Sequence, residues 1–154
     1  MVRLVSFSLD NRCYALPLST VDRVVRVVEI TPLPKAPAIV LGIINVGGRI
    51  LPVVNVRQRF HLPDRDIALR DQMILGKTGR RCVALVVDEV SRVTECQESE
   101  FIAGHEILPG MEGVHGVARL PDGMILIYDL HQFLSLEEES ALDEALATIE
   151  NRDE

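Results

Sequence analysis

Gly76-Lys77-Thr78 is where the chain comes nearest to a phosphate-binding loop, in which glycine-rich backbone amides cradle phosphates and a lysine reaches them. The glycine that should stand five residues earlier is Asp71, and Gln72-Met73-Ile74-Leu75 in between reads as a strand. A hairpin turn at Lys77-Thr78-Gly79 is therefore expected. Gly110, Gly113 and Gly116 have the wrong spacing for a dinucleotide fingerprint, and no helical pattern follows them. His61, His105, His115 and His131 could in principle join Cys96 on a metal, but none of their spacings matches a ligand pattern, so no metal is expected. Cys13 and Cys82 fall on apolar strands and are expected to be small buried hydrophobes. The carboxylates of Asp64-Arg65-Asp66 and Glu137-Glu138-Glu139 lie in polar stretches, where solvated charge is the expectation. No catalytic constellation and no cofactor site is visible, so the reading is of a protein that is not an enzyme.

The elements that would position these residues are mostly strands. The chain has 154 residues, 47% hydrophobic and 25% charged, with aromatics at 4% and no Trp. That suits an ordinary globular chain able to bury a core. No apolar run is long enough to span a membrane. Met1-Val2-Arg3-Leu4 does not open a secretory signal, and three scattered cysteines suit a reducing cytoplasm. The net charge of −7 comes from residues 137–154, which carry eight acids against Arg152 and leave 15 acids and 15 bases in the body. Without a basic patch, nucleic acid is not an expected partner. The tail reads as an acidic helix face in solvent.

The chain repeats itself. Arg12 to Val24 matches Arg81 to Val93 at seven of thirteen positions without a gap. Gly42 to Phe60 then lies against Gly116 to Leu134, with Gly42 on Gly116, Asn55 on Asp129 and Gln58 on Gln132. The second copy carries about five extra residues within 94–115, as insertions fall in loops. Each copy reads as short strands. Leu4 to Leu9 and Cys13 to Leu18 flank an Asp10-Asn11-Arg12 turn. A helical turn from Ser19, its N-cap, precedes a strand over Val24 to Ile30. Three prolines mark Thr31 to Pro37 as a connector, with one helical turn at Ala38 to Leu41. Gly42 to Val46 and Arg49 to Val56 flank a Gly47-Gly48 turn. Met73 to Leu75, Cys82 to Val87, Arg92 to Cys96, Val114 to Leu120 and Met124 to Tyr128 echo them. Leu130, Phe133, Leu134, Leu142, Leu146 and Ile149 recur at helical spacing. The fold class is thus mainly β: two five-stranded barrels sharing apolar surface, with short helical turns and a C-terminal helix.

Further residues carry a family pattern: Leu4-Val5-Ser6-Phe7, Tyr14-Ala15-Leu16-Pro17, Val21-x-x-Val24-Val25, Ile30-Thr31-x-x-Pro34-x-Ala36-Pro37, Val40-x-Gly42-Ile43-Ile44-Asn45, Gly48-x-Ile50-x-Pro52-Val53-Val54, Ala84-Leu85-Val86-Val87-Asp88-x-Val90 and Gly116-Val117-Ala118. In this order they resemble the CheW-type coupling proteins of bacterial chemosensory arrays. The resemblance implies two intertwined SH3-like barrels in a domain over residues 1–136, the first over about 10–65 and the second over about 72–130, strands partly exchanged, with an acidic helix or tail at 137–154. It also implies a cytoplasmic, non-catalytic adaptor bound to membrane arrays only through proteins. The implied partners are the regulatory domain of a CheA-type histidine kinase and the cytoplasmic tip of methyl-accepting chemotaxis receptors. The receptor hairpin would lie in a groove at Val21, Val24, Val25, Val86, Val87 and Val90. The kinase or partner interface would include Arg23, Asn45, Gly47, Gly48 and Arg49. A stand-alone regulatory barrel binding a small ligand or another signalling protein is the alternative.

Two positions depart from the family pattern. Many members have Asn-Leu-Arg-Gly where this chain has Asn45-Val46-Gly47-Gly48, and many have glutamate where Arg23 stands. One interface charge is lost and another reversed, which alters partner choice more than fold. A specialised chemosensory pathway, controlling a behaviour other than swimming, is the corresponding expectation.

Overall fold

The computed structural model describes residues 2–103, 114–121 and 123–150. His105, Gly110, Gly113 and the last four tail residues lie outside them. In chain order the elements are β1 (Val2–Leu9), β2 (Arg12–Pro17), β3 (Val21–Arg26), β4 (Val40–Val46), β5 (Arg49–Val54), α1 (Val56–Arg59), β6 (Gln72–Lys77), β7 (Cys82–Val87), β8 (Glu89–Cys96), β9 (Phe101–Ala103), β10 (Val114–Leu120), β11 (Gly123–Tyr128) and α2 (Leu136–Glu150). Single 3-10 turns stand at Leu18–Thr20, Glu98–Glu100 and Leu130–Gln132.

The strands form two sheets, ordered β8-β1-β2-β11-β10-β9 and β3-β6-β7-β5-β4. These are the expected SH3-like barrels, one of them carrying a sixth strand, the three-residue β9. Each sheet takes strands from both copies. The hairpin β1–β2 completes a barrel with β8 to β11, and β6–β7 completes one with β3 to β5. Repeat-equivalent contacts recur in register. Ala15 faces Ile127 as Ala84 faces Val53, both in parallel pairings. The register shift between Ser6 and Phe7 on β1 has its counterpart between Val21 and Arg23 on β3.

Alternation along each strand divides its side chains between two interiors. Leu4, Ala15, Ala118 and Ile127 fill the six-stranded barrel. Ile44, Val53, Met73 and Ala84 fill the five-stranded one. The opposite faces, including Phe7, Tyr14, Leu16, Ile74, Val83 and Leu85, meet in a third and largest core at the seam. Five of the six aromatic residues gather there. Phe60 stacks on Tyr128 with ring centroids 4.0 Å apart, and Tyr14 lies 4.8 Å from Phe60. Neither barrel could expose that surface alone, so the two fold as one unit.

Local chemistry explains the turns. Asp10 and Asn11 have φ of 52° and 64°, the left-handed pair that a two-residue hairpin turn needs. Gly42 and Gly116 are required by close approach: a Cβ would stand 2.3 Å from the Thr31 carbonyl oxygen and 2.5 Å from that of Ile102, respectively. Asn55 caps α1 by accepting from the Gln58 amide, and its repeat mate Asp129 accepts from the His131 amide. Ser135 and Glu138 form a reciprocal capping box at the start of α2.

Several local expectations need correction. Ser19 does not cap. The turn at Leu18–Thr20 has no side-chain cap, although Thr20 Oγ1 donates to the Pro17 carbonyl. The strand expected over Val24 to Ile30 runs over Val21–Arg26, because pairing with β6 draws in the residues before Val24. Ala38 to Leu41 is not a helical turn. One hydrogen bond from the Val40 amide to Pro37 closes a turn, and β4 begins at Val40. Gly76 and Lys77 lie inside β6, and Thr78 Oγ1 organises the following turn by accepting from the Arg80 and Arg81 amides.

Candidate partner-binding site

The six predicted groove valines divide between two interiors. Val24 pairs with Ile74, and Ile74 with Leu85, so all three face the seam. Val90 pairs with Phe7, and Phe7 with Tyr14, from the other barrel. Val21, Val24 and Val90 are half-buried and pack against the seam core from the edge strands β3 and β8. The Val90 amide donates to Oε1 of Gln72, a β6 residue, at 2.7 Å, so the start of β8 is fastened to the other sheet. Val87 is wholly inside the seam core. Val25 and Val86 pack instead against the inner core of the five-stranded barrel, opposite Met73 from either side. The structure thus places Val21, Val24 and Val90 half-buried at the edge of the seam, Val25 and Val86 half-buried against the five-stranded barrel's core, and only Val87 fully inside a core.

The predicted partner interface lies at one end of the five-stranded barrel. Arg23, Asn45, Gly47, Gly48 and Arg49 are all exposed. Asn45 Oδ1 accepts from the Gly48 amide at 2.9 Å and shapes the β4–β5 turn. Arg49 donates to the Cys82 sulfur at 3.0 Å and stands 3.9 Å from Asp22, next to Arg23. These contacts hold the turn against the bulge of β3, so all five residues share one surface.

Cys13 is exposed and Cys82 half-exposed, not buried as their strands suggested, because both sit where a barrel opens to solvent. Partial desolvation by its neighbours raises the Cys13 thiol above its ordinary value, against a smaller opposing effect from Arg92.

A charged bracket beside the seam escaped sequence reading. Asp71 is almost fully buried and Arg57 nearly so. Arg57 bonds Asp88 and Asp10, while Arg65 bonds Asp71 and Asp88. Arg65 therefore is not part of a solvated run. It clamps the inter-copy connector to the β7–β8 junction. The acidic helix is anchored likewise. Glu138 pairs with Arg59, Glu139 with Arg81, and Asp143 with Arg80 and Arg81. With Leu142 and Ala145 buried in the seam core, α2 straps the seam, and only part of its acidic face is in solvent. No group of three or more potential metal ligands occurs among the described residues. Among the described residues no helix is long and apolar enough to cross a membrane.

The fold and this surface define an interaction protein of the twin-barrel scaffold class. The CheW-like domain model matches residues 3–138, and the chain belongs to that family of chemotaxis scaffold proteins. It is 28% identical over 142 residues to the chemotaxis protein CheW of Treponema pallidum, covering 88% of this chain and 84% of that one. It is 27% identical to that of Rhizobium meliloti, covering 90% of each. The crystal structure of scaffolding protein TtCheW from Thermoanaerobacter tengcongensis superposes with a TM-score of 0.80 at 30% identity, covering 89% of this chain and 94% of that one.

Proposed function

We propose that the chain is a cytoplasmic adaptor that couples the tips of methyl-accepting receptors to the regulatory domain of a CheA-type kinase. The observation that carries this reading is the open rim of the seam. Val21 and Val24 on β3 and Val90 on β8 leave apolar surface half-covered on either side of one core. A helical hairpin presenting an apolar stripe is the partner that such a rim fits. The exposed set Arg23, Asn45, Gly47, Gly48 and Arg49 serves the kinase. Its charge, with Arg23 in place of the frequent glutamate and Gly47 in place of the turn arginine, favours partners of a specialised pathway.

The test is binding of the purified chain to a receptor tip fragment and to a kinase regulatory domain from its own cell. One-to-one complexes are expected with both, and loss of receptor binding with Val24→Glu or Val90→Glu. Unchanged receptor binding in both variants would refute the rim as the receptor site.

A further inference from the structure

The ladder between β3 and β6 ends early, and a groove opens where it ends. Arg26 pairs with Gln72, and one further bond joins the Val27 amide to the Asp71 carbonyl at 3.2 Å. Beyond it the two segments part. Asp71 turns the connector aside: its amide donates to the Ala68 carbonyl, and its carboxylate accepts from the Ala68 amide. Arg65 holds that carboxylate in place. The other segment is drawn towards β4, where Thr31 pairs with Ile43. Between them lies a groove of 380 Å³, with Val27 to Ile30 on one wall and Ile67 to Leu69 on the other. Leu69 is 93% exposed, the most of any large apolar side chain among the described residues, and Val28 and Ile67 are exposed beside it.

We propose that this groove docks a second molecule of the same chain across a two-fold axis, each Leu69 entering the other's groove and each Glu29 meeting the other's Arg70. Two observations select that occupant. An isologous contact needs a patch that complements itself, and here a protruding leucine stands on the wall of an apolar groove. The second observation is charge. The exposed charged residues within 26–30 and 66–70 are Arg26, Glu29, Asp66 and Arg70, two of each sign, on a chain whose net charge is −7. None of these four side chains has an ion-pair partner among the described residues. Across a two-fold axis Glu29 and Arg70 satisfy each other twice, whereas a partner of one sign would be repelled by half the set. The patch lies past the end of β3 at Arg26, away from Asp22 and the Arg49 turn at its start. It uses no residue assigned to the receptor or the kinase, so the pairing does not rest on that reading.

The test is sedimentation velocity of the full-length chain over a concentration series reaching the millimolar range. A monomer–dimer equilibrium is expected, and Leu69→Asp, an exposed change that leaves the cores intact, should abolish it. Glu29→Arg and Arg70→Glu should each weaken self-association by about tenfold, because each sets like charges opposite one another across the axis. An equimolar mixture of those two variants should dimerise as the wild type does, since every contact then joins opposite signs. The proposal is overturned if the wild type stays monomeric throughout, if Leu69→Asp dimerises unchanged, or if the mixture associates no better than either variant alone. These readouts involve neither receptor nor kinase, so they hold or fail apart from the coupling function.

Discussion

Arg57 on α1 donates to both carboxylate oxygens of Asp88, at 2.9 and 3.1 Å, across the junction of β7 and β8. The same guanidinium stands 2.8 Å from Asp10 in the β1–β2 turn. One side chain thus ties an element of the five-stranded barrel to the hairpin that the six-stranded barrel borrows. Removing it would leave Asp10 without this counter-charge and Asp88 with Arg65 alone. Arg57→Ala is expected to destabilise by about 1 kcal/mol in urea unfolding, since both carboxylates are partly exposed and Asp88 keeps Arg65.

The same bracket sets an acid limit. Burial alone would raise the Asp88 carboxyl, but the Asp10 amide and the Arg57 and Arg65 guanidinium groups hold it below its ordinary value of 3.8. A carboxyl depressed in the folded state contributes stability in full above that ordinary value and loses it as pH falls through the depressed one. Stability should therefore drop steeply below pH 3.8 in the wild type. Asp88→Asn should be less stable at neutral pH and show a shallower acid slope in thermal melts.

Rim and core substitutions should separate cleanly. Val24→Glu and Val90→Glu place charge on half-exposed positions and should remove receptor binding with only a modest fall in melting temperature. Val87→Glu buries a carboxylate in the seam core and should prevent folding, seen as loss of dispersed amide signals.

The paired glycines give a packing test. Gly42→Ala and Gly116→Ala should each cost more than about 2 kcal/mol, because the new methyl meets backbone oxygen that belongs to a strand pairing. Gly47→Ala meets nothing within 4 Å and carries only the strain of a φ of 59°, about 1 kcal/mol. For that reason Gly47→Arg combined with Arg23→Glu should fold. It is expected to gain binding to an ordinary chemotaxis kinase regulatory domain, measured by calorimetry.

The strap is testable apart from the partners. Arg81 bonds both Glu139 and Asp143, and α2 covers the seam through Leu142. Arg81→Ala should loosen the helix, raising hydrogen exchange along 136–150 while the strands stay protected. Leu142→Ala should cost roughly 3 kcal/mol as a buried cavity.

The sequence by itself determined the duplication, the strand-rich character, the tight turns at Asp10-Asn11 and Gly47-Gly48, and a C-terminal helix, whose helical spacing runs from Leu130 although the regular helix starts only at Leu136. These follow from neighbours along the chain, where residue type alone sets φ, strand alternation and helical periodicity. Tertiary structure decided which copy's hairpin completes which barrel, because period-two alternation marks two faces of Val83 to Val87 but not which face meets which core. It alone turned Arg65 and Glu139 from apparent solvated charge into ion pairs, since their partners Asp88 and Arg81 lie far off in sequence. It also set Cys13 and Cys82 at the open ends of the barrels, because a strand's pattern does not show where a barrel meets solvent.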